Sequence, residues 1–399
     1  MPPLQKQRFY SLDVFRGATV AFMILVNNPG SWSYIYGPLE HAPWQGCTPT
    51  DLVFPFFLFA VGNALAFVLP RLQAAGDAAF LKKIFTRTLL IFGIGLFLNW
   101  FPFVKWSGDH LIFKAWVDPA NPANPGAEPT GIRILGVLQR IALAYFFASL
   151  ILYYFKVRGA FVAGAFILLG YWALCFLAGN PADPYSMTGY FGTNIDKTVL
   201  GIAHMYKGEG VAFDPEGLAS TLPAIVQVIF GYLVGNYISQ KGKTFEMLAG
   251  LFVIGCMLAF LGYCWDMVFP ISKKIWTSSF VVYTTGLAIL VLCVLIYVIE
   301  FREHKGAWSR FFDVFGKNAL FIFMVSGIVP RLYGLFHIAD GINAKGGILY
   351  KGLKEWMYDH IFSPAFGPMN GSLLYAIFNI LLFWALCYWL DKRKIYIKV

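Results

Sequence analysis

Long apolar runs separated by polar connections dominate the chain. A helix that crosses a bilayer needs about 20 mostly apolar residues, and about ten stretches meet this requirement. They predict an all-α fold: a polytopic membrane bundle of about ten transmembrane helices, forming a single domain over 1–399. The predicted spans are 11–29, 52–70, 84–103, 133–155, 160–178, 218–239, 246–264, 277–299, 312–334 and 371–390.

Basic residues in the connections predict the orientation, because Lys and Arg concentrate in short cytoplasmic loops. The connection 30–50 has no Lys or Arg, and 104–132, 179–216 and 335–369 are long and less basic for their length. We therefore expect both termini in the cytoplasm and these connections outside. The basic clusters are Arg71, Lys82, Lys83 and Arg87, then Lys156 and Arg158, Lys241 and Lys243, Arg302, Lys305 and Arg310, and the tail 391–394.

Composition excludes a water-soluble protein. The 399 residues are 58% hydrophobic and 13% charged, whereas soluble domains carry about 25% charged residues. The net charge of +10 comes from clusters between apolar runs, so no nucleic-acid partner is expected. Asp13 and Arg16 interrupt the first run, which predicts a retained span instead of a cleaved signal peptide. The six cysteines have no spacing that indicates a metal site.

Ionisable residues at membrane depth are costly and usually face a partner or a cavity. Asp13 and Arg16 are three residues apart on one helical face, which predicts either an intrahelical ion pair or part of a site. Lys317, followed by Asn318, either contacts a phosphate or extends towards the lipid headgroups.

Two arginines fall in the fourth predicted span. Arg133 and Arg140 are seven residues apart, so in a helix they would share a face and form a column that binds an anion such as a phosphate. Alternatively, Arg133 caps the outer interface and Arg140 pairs with a carboxylate elsewhere.

The connection after the first span has the densest group of polar residues. Asn27 and Asn28 end that span, His41 and Trp44 follow, and Asp51 opens the second span. If the two helices pack as a hairpin, these side chains converge. His41 can exchange a proton near neutral pH. Asp51 either stabilises the start of the second helix or orients the imidazole.

A series of segments resembles the transmembrane acetyltransferases typified by the lysosomal heparan-α-glucosaminide N-acetyltransferase, a family that includes bacterial homologues. The segments follow the family's order over most of the chain. They are Ser11 to Gly17, Val26 to Asn27, His41 to Gly46, Asp51 to Pro55, Arg133 to Arg140, Phe213 to Gly217, Lys274 to Phe280 and Gly316 to Leu320.

The resemblance implies an enzyme that moves the acetyl group of cytoplasmic acetyl-CoA to the amine of a terminal glucosamine across the membrane. It also implies that His41 is the active-site histidine and that Asn27 is functionally important. The expected partners are acetyl-CoA, an amino-sugar acceptor and the bilayer, with no metal, in a multi-pass protein of a bacterial inner membrane.

In this reaction we expect His41 to act as general base, Asn27 as amide donor to the oxyanion and Asp51 as the group that orients the imidazole. A covalent acetyl-His intermediate is the rival mechanism. Fourteen residues separate Asp13 from Asn27, about 21 Å along a helix, a distance that extended CoA can cover. Expected contacts are Arg16, Arg140, Lys317 and Asn318 for CoA, and Trp44, Asn28, Trp276 and Ser278 for the acceptor.

Other functions stay open. An amino-sugar transporter would also have many spans and polar groups at depth, although no internal repeat is visible. An O-acyltransferase acting on a cell-envelope glycan would use nearly the same residues.

Gly231 and Gly235 indicate close helix packing, within one subunit or in a homodimer. The lysosomal enzyme has an additional N-terminal lumenal region, so here we expect a small amino sugar or cell-wall fragment as acceptor.

Overall fold

The computed structural model describes residues 9–108, 110–118, 129–342 and 347–397. Helices make up most of these residues, as the apolar pattern predicts. The α-helices are α1 Tyr10–Asn27, α2 Val53–Ala74, α3 Asp77–Trp100, α4 Val137–Ala178, α5 Gly192–Leu200, α6 Thr221–Lys241, α7 Phe245–Asp266, α8 Ser278–Ile296, α9 Ala307–Lys317, α10 Ala319–Tyr333, α11 Leu353–Met357, α12 Ser363–Phe366 and α13 Pro368–Lys392.

Two short hairpins lie in long connections for which no strand was predicted. β1 Val104–Ser107 pairs antiparallel with β2 His110–Phe113, and β3 Ile338–Ile342 pairs antiparallel with β4 Ile348–Lys351. Their apolar and β-branched residues suit a strand. Strands of four or five residues are too short to give a clear alternating pattern, so the apolar pattern did not reveal them.

Six helices of the described chain are long and apolar enough to cross a membrane, or up to seven if one bent pair counts as a span. Together with the less apolar helices they occupy every predicted stretch. This supports an all-α membrane-type protein. The count of about ten spans and the cytoplasmic position of both termini stay predictions.

Two breaks divide the longest apolar stretches. Lys156 has φ 57° and ψ −169° inside the 42 residues of α4, which is where the fourth predicted span ends. The single span predicted over 312–334 is wrong as a straight helix, because α9 and α10 meet at 82°. Asn318 occupies this bend with non-helical backbone angles. Its amide donates to Ile395 O at 3.2 Å and accepts from Ile397 N at 2.8 Å.

Glycines let the central helices approach closely, as Gly231 and Gly235 predict. A Cβ on Gly231 would overlap the carbonyl oxygen of Phe59, and one on Gly62 would overlap that of Val228. A Cβ on Gly235 would lie 2.9 Å from Asn63 O. The glycine pair therefore packs α6 against α2 within one chain. This packing fixes α2, which directly follows the turn that carries Asp51.

Candidate active site

The turn that begins the second span holds His41 against a buried carboxylate. Asp51 lies in the 3-10 turn Pro49–Leu52 immediately before α2 and is 1% exposed. Its Oδ2 accepts from the backbone N–H groups of Ala42 and Thr48, both at 3.0 Å. Its Oδ1 lies 2.7 Å from His41 Nδ1. Asp51 thus meets both sequence-based interpretations, since it stabilises the helix start and contacts the imidazole.

The Asp51 contact determines which imidazole nitrogen is available for chemistry. A carboxylate can only accept a hydrogen bond, so in the 2.7 Å contact His41 Nδ1 carries the proton and donates it to Asp51. The neutral ring then has its lone pair on Nε2. A histidine in this tautomer can take a proton from a group that approaches Nε2.

Lys273 is the third charged group at this position, and the sequence interpretation missed it. Its Nζ lies 3.0 Å from Nδ1 and 3.4 Å from Nε2 of His41, and 3.5 Å from Asp51 Oδ1. An ammonium that donated along the lone pair of one ring nitrogen would lie much farther from the other nitrogen. The two nearly equal distances therefore place the Lys273 ammonium over the face of the ring. Burial lowers the pKa of Lys273, opposed by the carboxylates of Asp51 and Glu216.

A docked loop brings Lys273 to His41 from 232 positions along the chain. Gly46 N donates to Ile271 O at 2.7 Å, and Ser272 Oγ donates to Trp44 O at 2.8 Å. In the sequence, Lys273 is notable only because it directly precedes the segment Lys274 to Phe280 that resembles the family. This position does not reveal that Lys273 contacts the loop of His41.

Two cavities are lined by His41, and a third adjoins the first of them at Asn27. The histidine cavity, about 170 Å³, is lined by His41, Asn27, Glu216 and Lys273 among others. The rim cavity, about 190 Å³, shares His41, Glu216 and Lys273 and adds Trp276. The amide cavity, about 360 Å³, shares Asn27 with the first. The structure therefore brings Asn27 and His41 to one cavity, as the hairpin argument expects.

Arg133 and Arg140 do not form the predicted helical column. Helix α4 begins only at Val137, so Arg133 precedes it and the spacing of seven has no helical meaning. Arg133 forms ion pairs with Asp214, at 2.5 Å, and with Glu216. Burial opposes the charge of Arg133, but Glu216 and Asp214 outweigh it and raise its pKa.

Arg140 is 1% exposed and contacts uncharged groups of the segment that follows Glu216. It donates to Ser220 Oγ and, at 3.3 Å, to Gly217 O. Its guanidinium lies 5.0 Å from the centre of the Trp276 ring. Neither sequence-based alternative describes it fully, because its contacts are a hydroxyl, a carbonyl and an aromatic face.

The four residues expected to contact the acceptor have different surroundings. Trp276 lines the rim cavity and has a left-handed φ of 50°, a strained conformation for a bulky residue. Asn28 lines the amide cavity. Trp44 donates from Nε1 to Tyr185 O at 2.8 Å, and Ser278 Oγ donates to Leu168 O at 2.7 Å. The last two therefore have structural partners.

The residues expected to contact CoA lie mostly at the other end of α1. Arg16 pairs with Asp13 at 2.7 Å, which confirms the predicted ion pair, and also donates to Gly316 O. Lys317 pairs with Asp313 at 2.7 Å and Asp391 at 3.0 Å. Asn318 holds the backbone of the C-terminal tail. A cavity of about 240 Å³, the Arg16 cavity, is lined by Asp13, Arg16 and Asn63 among others.

Comparisons with known proteins give two curated relatives and no matching family model. The chain is 26% identical over 381 residues to heparan-alpha-glucosaminide N-acetyltransferase of Homo sapiens, covering 81% of this chain and 53% of that protein. It is 24% identical, in an alignment 435 residues long, to the Mus musculus protein of the same name. That alignment covers 94% of this chain and 60% of the mouse protein. The chain thus spans little more than half the length of these relatives. The predicted resemblance is confirmed.

Proposed function

Because the chain is homologous to heparan-alpha-glucosaminide N-acetyltransferases over most of its length, we propose that it is a transmembrane N-acetyltransferase. It transfers the acetyl group of cytoplasmic acetyl-CoA to the amine of a glucosamine-type sugar on the outer side of a bacterial inner membrane.

One contact carries the proposal, the 2.7 Å approach of His41 Nδ1 to buried Asp51. A histidine held in this way is suited to accept a proton at Nε2, as in hydrolase triads. His41 and Asn27 also line one cavity. A general base and an amide donor that line one cavity are what acyl transfer to an amine requires.

In the direct reaction His41 accepts a proton from the amine and later gives it to the leaving thiolate. The uncharged amine attacks the thioester carbonyl carbon while His41 Nε2 accepts its proton, so a C–N bond forms and an oxyanion develops. When the C–S bond breaks, CoA leaves as a thiolate and takes the proton from the imidazolium. In the rival mechanism His41 Nε2 attacks the thioester carbonyl first, so the C–S bond breaks, CoA leaves as a thiolate and an acetyl-imidazole forms. The amine then attacks the acetyl carbon, and the imidazole leaves as the new C–N bond forms and the amine loses its proton.

Lys273 contributes charge to this reaction. Its ammonium lies 3.4 Å from Nε2, close to the atom that accepts the amine's proton. It lines the histidine cavity together with Asn27. Both groups are donors, and a positioned cation stabilises a developing oxyanion.

The arrangement of α1 and α2 supports entry of the donor from the Arg16 end. Some of the residues that line the Arg16 cavity and the histidine cavity recur every three, four or seven positions, so they share one face of each helix. They are Leu12, Arg16, Met23 and Asn27 on α1, and Phe54, Phe57, Ala60, Ala64 and Phe67 on α2. A donor that extended along these faces would place its thioester near His41.

His41→Ala tests the proposal when acetyl transfer to glucosamine and acetyl-CoA binding are both measured. We expect turnover to fall by about 10²–10⁴-fold while acetyl-CoA still binds. Retained turnover would exclude both mechanisms through His41. Uptake of labelled glucosamine by liposomes without acetyl-CoA would support the transporter instead, and transfer to hydroxyl acceptors alone would support the O-acyltransferase.

A further inference from the structure

Two basic side chains meet over one aromatic ring where α9 lies beside the end of α13. The guanidinium carbon of Arg310, on α9, lies 5.6 Å from the centre of the Tyr388 ring, and Lys392 Nζ, on α13, lies 4.8 Å from it. Each contact is a cation–π interaction. The two charges of this cation pair are therefore within about 10 Å of each other and repel each other.

No carboxylate relieves this repulsion in the part of the chain that the structure describes. There, neither Arg310 nor Lys392 has an ion pair or a side-chain hydrogen bond, and both are exposed. Asp391, which precedes Lys392, is already paired with Lys317 at 3.0 Å and accepts from Tyr396 Oη at 3.0 Å. The cation pair therefore has all its donors free for an anion.

Stacked rings hold the cation pair between the two helices. Phe311 on α9 stacks on Trp384 of α13, with ring centres 5.4 Å apart and an angle of 13° between the rings. Trp384 in turn stacks on Tyr388, at 4.8 Å and 12°. Because Tyr388 is fixed in this column, the two helices present their cations on a preformed surface, and a ligand that binds there loses less side-chain entropy.

The surroundings of the cation pair match the surface of a bilayer. Helix α9 meets α10 at 82°, so with α10 in the predicted span, α9 lies close to the membrane plane. Trp308 on α9 is 41% exposed, and Trp389 on α13 is 53% exposed. Exposed tryptophans beside basic residues are typical of the interface between lipid and water.

An exposed apolar strip on α13 leads up to the cation pair. Phe378, Leu382 and Trp389 are exposed and recur after four and seven positions, so they share one face of the helix. Lys392 follows Trp389 by three positions and continues this face. A ligand with a negatively charged head and long apolar chains would contact the cations and the strip together.

We propose that the cation pair binds the phosphate of an anionic phospholipid, whose acyl chains lie along the apolar strip of α13. In the predicted orientation this lipid belongs to the cytoplasmic leaflet, where anionic lipids concentrate. Arg310 contacts the phosphate oxygens through its planar fork, and Lys392 adds an ammonium. The lipid thereby links α9 to α13 and removes the repulsion between the two cations.

Native mass spectrometry of the full-length protein in detergent tests this proposal. The probes are phosphatidylglycerol and phosphatidylcholine with identical acyl chains. Arg310→Gln combined with Lys392→Gln should weaken phosphatidylglycerol binding about thirtyfold, because both cations contribute, and should leave phosphatidylcholine binding unchanged. Lys82→Gln combined with Lys83→Gln is the matched control, since it removes two exposed charges from α3 and should keep wild-type affinity for both lipids.

An unchanged affinity of the Arg310 and Lys392 double variant for phosphatidylglycerol would overturn the lipid site. An equal loss in the control would do the same, because the attraction would then come from net charge alone. A soluble phosphate compound is the other source of the same chemistry. If the double variant weakens acetyl-CoA binding and leaves phosphatidylglycerol binding as in wild type, the cation pair contacts the donor's phosphates and the lipid proposal is wrong.

Discussion

At the scale of single residues, the site is one imidazole between two opposite charges. Asp51 contacts His41 through Nδ1, and the Lys273 ammonium lies against the face of the ring. The carboxylate orients the ring, so that Nε2 is the nitrogen available to the amine. We expect the ammonium to stabilise the oxyanion that develops close to Nε2.

Lys273→Met tests the role of the ammonium through the turnover number. Removing the cation leaves the developing oxyanion with one donor fewer, so kcat should fall by about 10²-fold. Steady-state kinetics of the two variants and wild type measure it.

Lys274→Met is the control for that variant. Lys274 pairs with Glu209 and not with His41, so its removal should leave kcat close to that of wild type. An unchanged kcat in Lys273→Met, or an equal fall in both variants, would mean that Lys273 does not stabilise the oxyanion.

The sequence predicted that His41 and Asp51 meet. They lie ten positions apart around the start of one helix, so a local turn is enough to bring them together. It did not predict Lys273. The contact depends on how the loop before α8 docks on the loop after α1, and hydrophobic periodicity carries no information about that docking.

At the scale of elements, α5 and the segment before α6 meet through a buried carboxylate. Asp196 is 1% exposed, and its Oδ1 accepts from Leu218 N at 2.9 Å. Burial raises the pKa of Asp196 to about 6 from the ordinary value of 3.8. Between about pH 4 and 6 the folded protein therefore keeps a proton that the unfolded chain releases. The free energy of unfolding falls as the pH rises through this range.

Asp196→Asn should remove this pH-dependent loss. The variant keeps an oxygen for Leu218 N and has no charge to bury, so it should unfold at a higher temperature than wild type at pH 7.5. The difference corresponds to about 3 kcal/mol at most, and it should vanish near pH 4. Thermal unfolding of detergent-purified protein measures it.

Asp183→Asn is the matching control, because Asp183 is exposed and its substitution should change neither midpoint. Destabilisation of Asp196→Asn by the same amount at both pH values would show that the carboxylate has a structural role, not a desolvation cost.

Close packing of α2 and α6 gives a second prediction at this scale. Gly231→Ala should lower the thermal midpoint by several degrees, because the new Cβ overlaps the backbone oxygen of Phe59 and the helices must separate. Gly170→Ala on α4 should not, since no atom lies within 4 Å of its Cβ. Equal midpoints for the two variants would contradict the observed helix approach.

The apolar pattern predicted the position of each long helix but not its shape. The bend at Asn318 depends on hydrogen bonds to Ile395 and Ile397, which lie in the tail almost eighty positions away. The late start of α4 likewise separates Arg133 from the helix that its spacing suggested. Both outcomes follow from tertiary contacts that overrule local propensity.

At the scale of the whole molecule, the cavities lie at two levels along α1. The Arg16 cavity lies near its first turns, and the histidine and amide cavities lie near Asn27. With the predicted orientation, the first level faces the cytoplasm and the second faces outside. The donor and the acceptor would then reach His41 from opposite sides of the bilayer.

Sealed proteoliposomes test this central claim most directly. Glucosamine is trapped inside, acetyl-CoA is added outside, and the lumenal contents are analysed for N-acetylglucosamine. Wild type should form the product inside, His41→Ala should form none, and no glucosamine should leave without acetyl-CoA. Product formation by His41→Ala at the wild-type rate, or glucosamine efflux that needs no acetyl-CoA, would contradict His41-dependent acetyl transfer across the membrane.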